Sequence, residues 1–201
     1  MPATTLAYDF THAAQPDFSF YNLTSRLYHA WQYRGALALT SSFGVQSGLL
    51  VDQLHKRGLL PEIPVVTVDI PGSQWDDQRR YRDHLQNHYG FDLHVEHAEN
   101  EDDKTAALNR GLSRLGVRAT LDGIRASQTF NRAQKPFIED KPDGRIAIHP
   151  LLDWSDRRVD KYIRKRLTEV ARHPAWEKGA RSKGGVVLAP GFEKTECGLH
   201  I

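Results

Sequence analysis

In Ala36-Leu37-Ala38-Leu39-Thr40-Ser41-Ser42-Phe43-Gly44-Val45-Gln46-Ser47, four apolar residues run into a turn of hydroxyls and one glycine. A helix-like segment, Val45 to Arg57, follows and is stopped by Gly58. The order is strand, small-residue turn, helix. Hydroxyls and free backbone N–H groups at a helix start can bind phosphate, because the positive end of the helix dipole lies there. The turn lacks the Gly-Lys-Ser/Thr ending of a Walker loop and the Gly-x-Gly-x-x-Gly of a dinucleotide fold, and a plain tight turn fits the same spacing.

Outward from this unit the same alternation continues. On its N-terminal side, Phe18 to Tyr33 carries apolar residues at Leu23, Leu27, Ala30 and Trp31 and ends before Gly35, which predicts an amphipathic helix. On its C-terminal side the expected order is a strand over Pro64 to Asp69, a helix over Trp75 to Tyr89 ended by Gly90, and a strand over Phe91 to Glu96. A helix over Asp102 to Leu115 and a strand over Ala119 to Ile124 come next. Arg125 to Gly144 reads as a loop, Arg145 to Ile148 as a strand, and Ser155 to Leu167 as a helix with Ser155 as its N-cap. Strands alternating with helices of this length predict an α/β fold: a doubly wound, mostly parallel sheet with helices on both faces. In such sheets ligands bind beyond the carboxyl ends of the strands, which directs attention to the loops at Ser41, Asp69 and Arg125. From Arg172 to Ile201 the chain has no clear period and is rich in Gly, Pro and charge. We therefore expect a domain over residues 1–171 and a mobile C-terminal tail over 172–201.

The 201 residues hold 27 Lys and Arg against 25 Asp and Glu, a formal charge of +2 that argues against a polyanion-binding protein. No nucleic-acid partner is expected, and a small anion is the better-matched ligand. No apolar run approaches the roughly 18–20 residues needed to span a bilayer. Met1 to Asp17 has no charged-then-apolar pattern, so no membrane association and a cytoplasmic location are expected. One cysteine, Cys197, forbids an intrachain disulfide, an all-cysteine zinc site and a four-thiolate iron–sulfur cluster. The ten histidines are scattered without ligand spacing, and no metal is expected.

Several segments, in collinear order over Leu37 to Ile201, resemble one family. Ser41-Ser42-Phe43-Gly44-Val45-Gln46 is similar to the modified pyrophosphate loop of the phosphoadenylyl-sulfate (PAPS) reductases, relatives of the N-type ATP pyrophosphatases. Lys104-Thr-Ala-Ala-Leu-Asn109-Arg110-Gly-Leu112 resembles the family's Lys-x-x-x-x-Asn-Arg-x-Leu helix. Gly123-Ile-Arg125-Ala-Ser-Gln128-Thr-Phe-Asn-Arg132 resembles its Gly-x-Arg-x-x-Gln-Ser-x-x-x-Arg loop. Pro150-Leu-Leu-Asp153-Trp154 and His173-Pro174-Ala-Trp176 follow, and Glu196-Cys197-Gly198-Leu199-His200 is similar to the family's catalytic signature. Two stretches depart from the pattern. The family's Asp-Thr-Gly appears as Asp69-Ile70-Pro71-Gly72, and its Gly-Tyr-x-Ser-x-Gly-Asp appears as Gly179-Ala180-Arg181-Ser182-Lys183-Gly184-Gly185, followed by a shortened segment.

The resemblance implies an adenine nucleotide alpha-hydrolase-like fold and reduction of 3′-phosphoadenylyl sulfate, or a related adenine nucleotide, through an S-sulfocysteine. Thioredoxin or glutaredoxin would be the external reductant, with neither flavin nor iron–sulfur cluster, and the assembly would be a homodimer. It further implies Cys197 and His200 as catalytic residues. Substrate binding would fall to Ser41, Ser42, Phe43, Gly44, Asp69, Gly72, Lys104, Arg125, Gln128 and Arg132.

Read from the residues alone, Lys104, Arg125 and Arg132 are either solvated surface charges or an anion-holding set, since guanidinium groups grip phosphate and sulfonate oxygens with two bonds. Arg157, Lys161, Arg164 and Lys165 share one face of the last helix, either as a solvated face or as an anion or partner site. Two other functions stay open: an ATP-using nucleotidyl-transferring or pyrophosphate-releasing enzyme of the same superfamily, and a non-catalytic nucleotide-binding relative.

Overall fold

The structure is a computed structural model that describes residues 17–44, 46–70, 76–177, 181–183 and 186–188, with side chains through residue 176. The helix expected over Phe18 to Tyr33 starts late. Asp17 caps a short 3-10 turn, Phe18–Phe20, and the Asn22 carboxamide then accepts the Ser25 N–H at 3.0 Å to begin α1, Leu23–Trp31. Gly35, at φ +86°, turns the chain into β1, Leu37–Thr40. The next elements are α2 (Gly48–His55), β2 (Val65–Asp69), α3 (Asp76–Tyr89), β3 (Leu93–His97), α4 (Lys104–Arg114) and β4 (Ala119–Leu121). Each lies within a residue or a few of its expected position.

Residues 125–144 are a correction. In place of one loop, Phe130–Ala133 form a helical turn, α5, and Ile138–Asp140 form strand β5, which pairs antiparallel with β6, Ile146–Ile148. A three-residue strand next to Pro136 has too few alternating positions to read as periodic. Helix α6, Asp156–Lys165, starts where expected, with Ser155 Oγ accepting the Arg158 N–H.

The six-stranded sheet has the order β3-β2-β1-β4-β6-β5, parallel except for β5. Side-chain alternation sends Leu37, Leu39, Ala119, Leu121 and Ile148 to one face, where α1, α2, α3 and α6 bury Leu27, Leu54, Leu85 and Ile163. Ala38, Val66 and Val68 point to the other face, covered by Ala107, Leu108 and Leu112 of α4. The alternating strands and helices thus give the two-sided α/β fold expected of them. After β1 the chain moves outward through β2 and β3, then returns to the opposite side of β1 as β4. The loops leaving β1 and β4 therefore diverge and open a crevice between them.

Two polar clusters fasten this frame. Arg26 of α1 is 1 % exposed and donates to both Asp153 oxygens (2.6 and 3.1 Å), to Phe18 O and to Pro150 O, with its guanidinium 4.2 Å over the Phe137 ring. Asp52 of α2, fully buried, accepts from Lys56 Nζ at 2.7 Å, from Thr168 Oγ1 at 3.3 Å and from the hydroxyls of Tyr89 and Tyr162 at 3.4 Å.

Within 172–201 the described parts are α7, Pro174–Glu177, and an antiparallel pair, β7 (Arg181–Lys183) and β8 (Val186–Leu188). His173 and Trp176 are buried in the domain. Among the described residues, no helix is long and apolar enough to cross a membrane.

Candidate functional site

The turn after β1 is held from inside. Phe43 is the one non-glycine residue at positive φ (+49°) among the described residues, a conformation that L side chains rarely adopt. Its ring is 1 % exposed and stacks on Phe91 with 6.3 Å between centroids, and its N–H donates to Ser41 Oγ at 3.1 Å. Core packing thus fixes a strained residue, as functional turns often require. Ser41 and Ser42 are left facing the crevice. Gly48, which opens α2, is compelled by close approach: a Cβ there would lie 2.1 Å from Ala171 O and 2.2 Å from Tyr81 Oη.

Across the crevice, the loop after β4 is built around Arg125. Its guanidinium, 1 % exposed, donates to Ser127 Oγ (2.8 Å), Trp154 O (3.1 Å), Asp156 Oδ1 (2.6 Å) and Gln46 Oε1 (2.7 Å). Its Nε–H has no hydrogen-bond partner among the described residues. Gln128 Oε1 accepts the Arg125 backbone N–H at 2.9 Å and Arg132 Nη1 at 2.7 Å, so one carboxamide sets the position of both arginines. Thr129 caps α5, which carries Arg132. Burying two guanidinium groups beside one another is costly unless anions compensate them. The paired carboxylate on Arg125, Asp156, is itself 70 % exposed at its side chain.

These residues border a cavity of about 50 Å³ whose polar lining includes Ser41, Ser42, Gln46, Arg125, Gln128 and Arg132, with Thr40 and Ser47 beside them. It has room for one tetrahedral anionic group and is far below the roughly 300 Å³ of a whole small-molecule site. The sequence-derived residues therefore divide. Ser41, Ser42, Arg125, Gln128 and Arg132 come together. Phe43 turns into the core, and Gly44 lies in the turn without lining the cavity. Asp69, at the end of β2, is tied to α3 by Arg82 Nη1 at 2.9 Å and Arg79 Nε at 3.5 Å. Lys104 is buried at the start of α4, 3.2 Å from Glu101 Oε2, and does not line the cavity either. Gly72, Cys197 and His200 lie outside the described residues.

The surface-charge reading of Lys104, Arg125 and Arg132 fails, since all three are at most 5 % exposed. The basic face of α6 is by contrast exposed along Arg157, Lys161, Arg164 and Lys165. Sequence reasoning gave no role to Gln46 or Asp156. The one available signal for Asp156 was an acid in the first turn of an otherwise basic helix. Among the described residues, no group of three His, Cys, Asp or Glu side chains is arranged to hold a metal.

A mostly parallel sheet whose switch point presents a hydroxyl-bearing turn opposite two buried arginines defines an α/β protein built to receive an anionic ligand beyond its strand ends. Solved structures agree on the fold. The chain is similar to Candida glabrata FMN adenylyltransferase in complex with ATP (TM-score 0.55, 15 % identity, 76 % of this chain and 58 % of that one). It is also similar to a U34-tRNA thiolase of Methanococcus maripaludis solved with a 4Fe–4S cluster (TM-score 0.54, 12 % identity, 76 % of this chain and 67 % of that one). At the level of family, the phosphoadenosine phosphosulfate reductase domain matches residues 36–189, and the chain belongs to that family. Curated relatives include the phosphoadenosine 5′-phosphosulfate reductases of Alkalilimnicola ehrlichii, 28 % identical with 84 % of this chain and 82 % of that protein covered, and of Xanthomonas campestris pv. campestris, 30 % identical with 81 % and 80 % covered. Membership makes the protein an oxidoreductase by family function.

Proposed function

We propose that the protein reduces 3′-phosphoadenylyl sulfate to sulfite and adenosine 3′,5′-bisphosphate. The observation that carries this reading is the small anion cavity with Arg125 and Arg132 on one side and Ser41 and Ser42 on the other, in a chain of this family. In this reading the guanidinium groups hold the substrate's phosphate that carries the sulfonate. The Cys197 thiolate attacks sulfur, the S–O bond to phosphate breaks, and the electron pair leaves with the nucleotide. Arg125 and Arg132 stabilise the negative charge that develops on that oxygen. The product on the enzyme is an S-sulfocysteine.

A thioredoxin-like dithiol completes the cycle. One of its thiolates attacks Cys197 Sγ and displaces sulfite, and its second thiol resolves the mixed disulfide, so the two electrons taken up by sulfur come from the dithiol. The chemistry uses no resident flavin or metal. His200 is assigned to the thiol's surroundings, where a cation lowers a pKa ordinarily near 8.5. Lys104, Asp69 and Gly72 are assigned to the parts of the nucleotide beyond the cavity. A homodimer, a 1–171 nucleotide-binding unit and a 172–201 catalytic segment complete the proposal.

The test is intact-protein mass spectrometry after incubating the reduced protein with PAPS, and in parallel with adenylyl sulfate, before any reductant is added. A gain of about 80 Da that maps to Cys197 and disappears on adding thioredoxin is expected. Absence of an adduct with either nucleotide, combined with turnover of Mg-ATP, would overturn the reading in favour of an ATP-using relative.

A further inference from the structure

Strands β4 and β6 run parallel in the register Leu121↔Ile148, so the residues just beyond them, Asp122 and His149, are neighbours on the α4 side of the sheet. Glu139 of β5, opposite Ala147, lies on the same side. Asp122 Oδ1 is 2.8 Å from His149 Nδ1, and Glu139 Oε2 is 3.4 Å from His149 Nε2. Asp122 is 3 % and His149 1 % exposed. An imidazole facing a carboxylate at each nitrogen can satisfy both only as the imidazolium, which donates twice.

The surroundings favour that state. Burial alone would push the His149 pKa down, but Asp122 and Glu139 outweigh it and hold it above the ordinary histidine value. Burial likewise raises Glu139, yet Lys135, Lys141 and His149 keep its carboxyl below the usual range. The cleft in front of the ring, about 470 Å³, contributes Lys141, Asp143 and Arg145 from the β5–β6 hairpin. Its other walls, α4 and β1, face the cleft with neutral groups: Thr105 and Asn109, and Thr40.

Asp122 reaches further. Its Oδ1 also accepts the Ile124 N–H at 3.0 Å, closing the turn that leads directly into Arg125. The main chain of His149 is fixed at both ends, its N–H donating to Phe137 O (2.8 Å) and its O accepting the Leu152 N–H (3.1 Å). We infer that His149, bridged as a cation between Asp122 and Glu139, is a positioning residue for the anion cavity: it orients the carboxylate that shapes the Gly123–Arg125 turn. This rests on the reading of that cavity as the site of the substrate's anionic group. No electron or bond changes at His149, which touches no substrate.

The test measures binding of adenosine 3′,5′-bisphosphate by calorimetry, with a urea midpoint for each variant at the same temperature. His149→Phe is expected to weaken binding about tenfold, because a buried Asp122 without its cation no longer holds one orientation. The double variant His149→Phe, Asp122→Asn is expected to regain most of that loss. A carboxamide still accepts the Ile124 N–H and needs no neighbouring charge, whereas a purely structural role for His149 would give no such recovery of affinity. Should His149→Phe fail to fold, Asp122→Ala replaces it; it deletes the cap and lets the imidazole shed its proton, with the same expected loss. Binding by the parent with unchanged affinity in the variants, or no recovery in the double variant, would overturn this inference alone. A parent that binds no adenosine 3′,5′-bisphosphate would overturn the sulfonucleotide reading and this inference with it.

Discussion

Arg125 Nη2 donates to Gln46 Oε1 at 2.7 Å, joining the turn after β1 to the loop after β4 across the crevice where the sheet changes direction. Without that bond nothing polar among the described groups would hold Nη2. Gln46→Ala leaves a buried donor unpaired, at a cost of about 1–3 kcal/mol. We expect about tenfold weaker binding of adenosine 3′,5′-bisphosphate. Arg125→Lys should weaken binding at least as much, since an ammonium group cannot span Gln46, Trp154 O and Asp156 from one position. Titration calorimetry on both variants checks this, and parental affinity in Arg125→Lys would remove Arg125 from the anion site.

Asp156 Oδ1 accepts from Arg125 Nη1 at 2.6 Å while its own side chain is largely exposed. An anion entering the cavity must compete with it, and the exposed carboxylate can turn to solvent when displaced. Asp156→Asn keeps the size and removes the charge, so nucleotide affinity should rise about threefold while stability falls, because the buried Arg125 guanidinium loses its paired carboxylate. The same titration reads it, and a fall in affinity would mean that Asp156 holds Arg125 in its binding position instead of competing for it.

Much of the fold was legible because its signals are local. Gly35, Gly58 and Gly90 sit at positive φ next to helix ends, and the apolar runs of β1 and β2 are buried on both faces as parallel strands require. The β5 strand was not legible, because three residues whose pairing depends on a distant partner leave no period. The cavity was legible in part. Ser41, Ser42, Arg125, Gln128 and Arg132 were legible through their collinear match to the family's motifs, whereas the inward turn of Phe43 depends on Phe91, and the exclusion of Lys104 on the placement of Glu101. Asp122 and His149 are 27 residues apart and become neighbours only through strand register.

Arg26 joins α1 to the loop bearing Pro150 and Asp153, so those family-matching residues serve the frame of the site as well as its shape. Arg26→Ala strands a half-exposed carboxylate and two backbone carbonyls, and should destabilise the protein by about 3 kcal/mol. Asp153→Asn should cost less, because the carboxamide oxygen still accepts one bond. Urea unfolding checks the ranking, and equal midpoints for Arg26→Ala and the parent would show that the α1 anchor contributes nothing.

His173 gives a stability change on the acid side. It is 1 % exposed, its Nδ1 accepts the Ala175 N–H at 3.1 Å, and its ring meets Tyr81 edge-on at 4.5 Å. Burial pushes its pKa down from 6.5 to about 4. The folded state therefore holds the neutral ring while the unfolded chain takes up a proton more readily. Its stabilisation is fully present above pH 6.5, declines as pH falls from there, and is spent once pH has passed through about 4. His149 acts with the opposite sign, since its raised pKa favours the folded state at low pH, so the parent's own profile mixes the two. The difference between parent and His173→Gln isolates His173. The variant should be less stable at pH 7.5, where a buried imidazole contact is lost, and the gap between the two urea midpoints should narrow steadily from pH 6.5 to pH 4.5. A gap that stays constant over that interval would mean that His173 is protonated alike in the folded and unfolded chains.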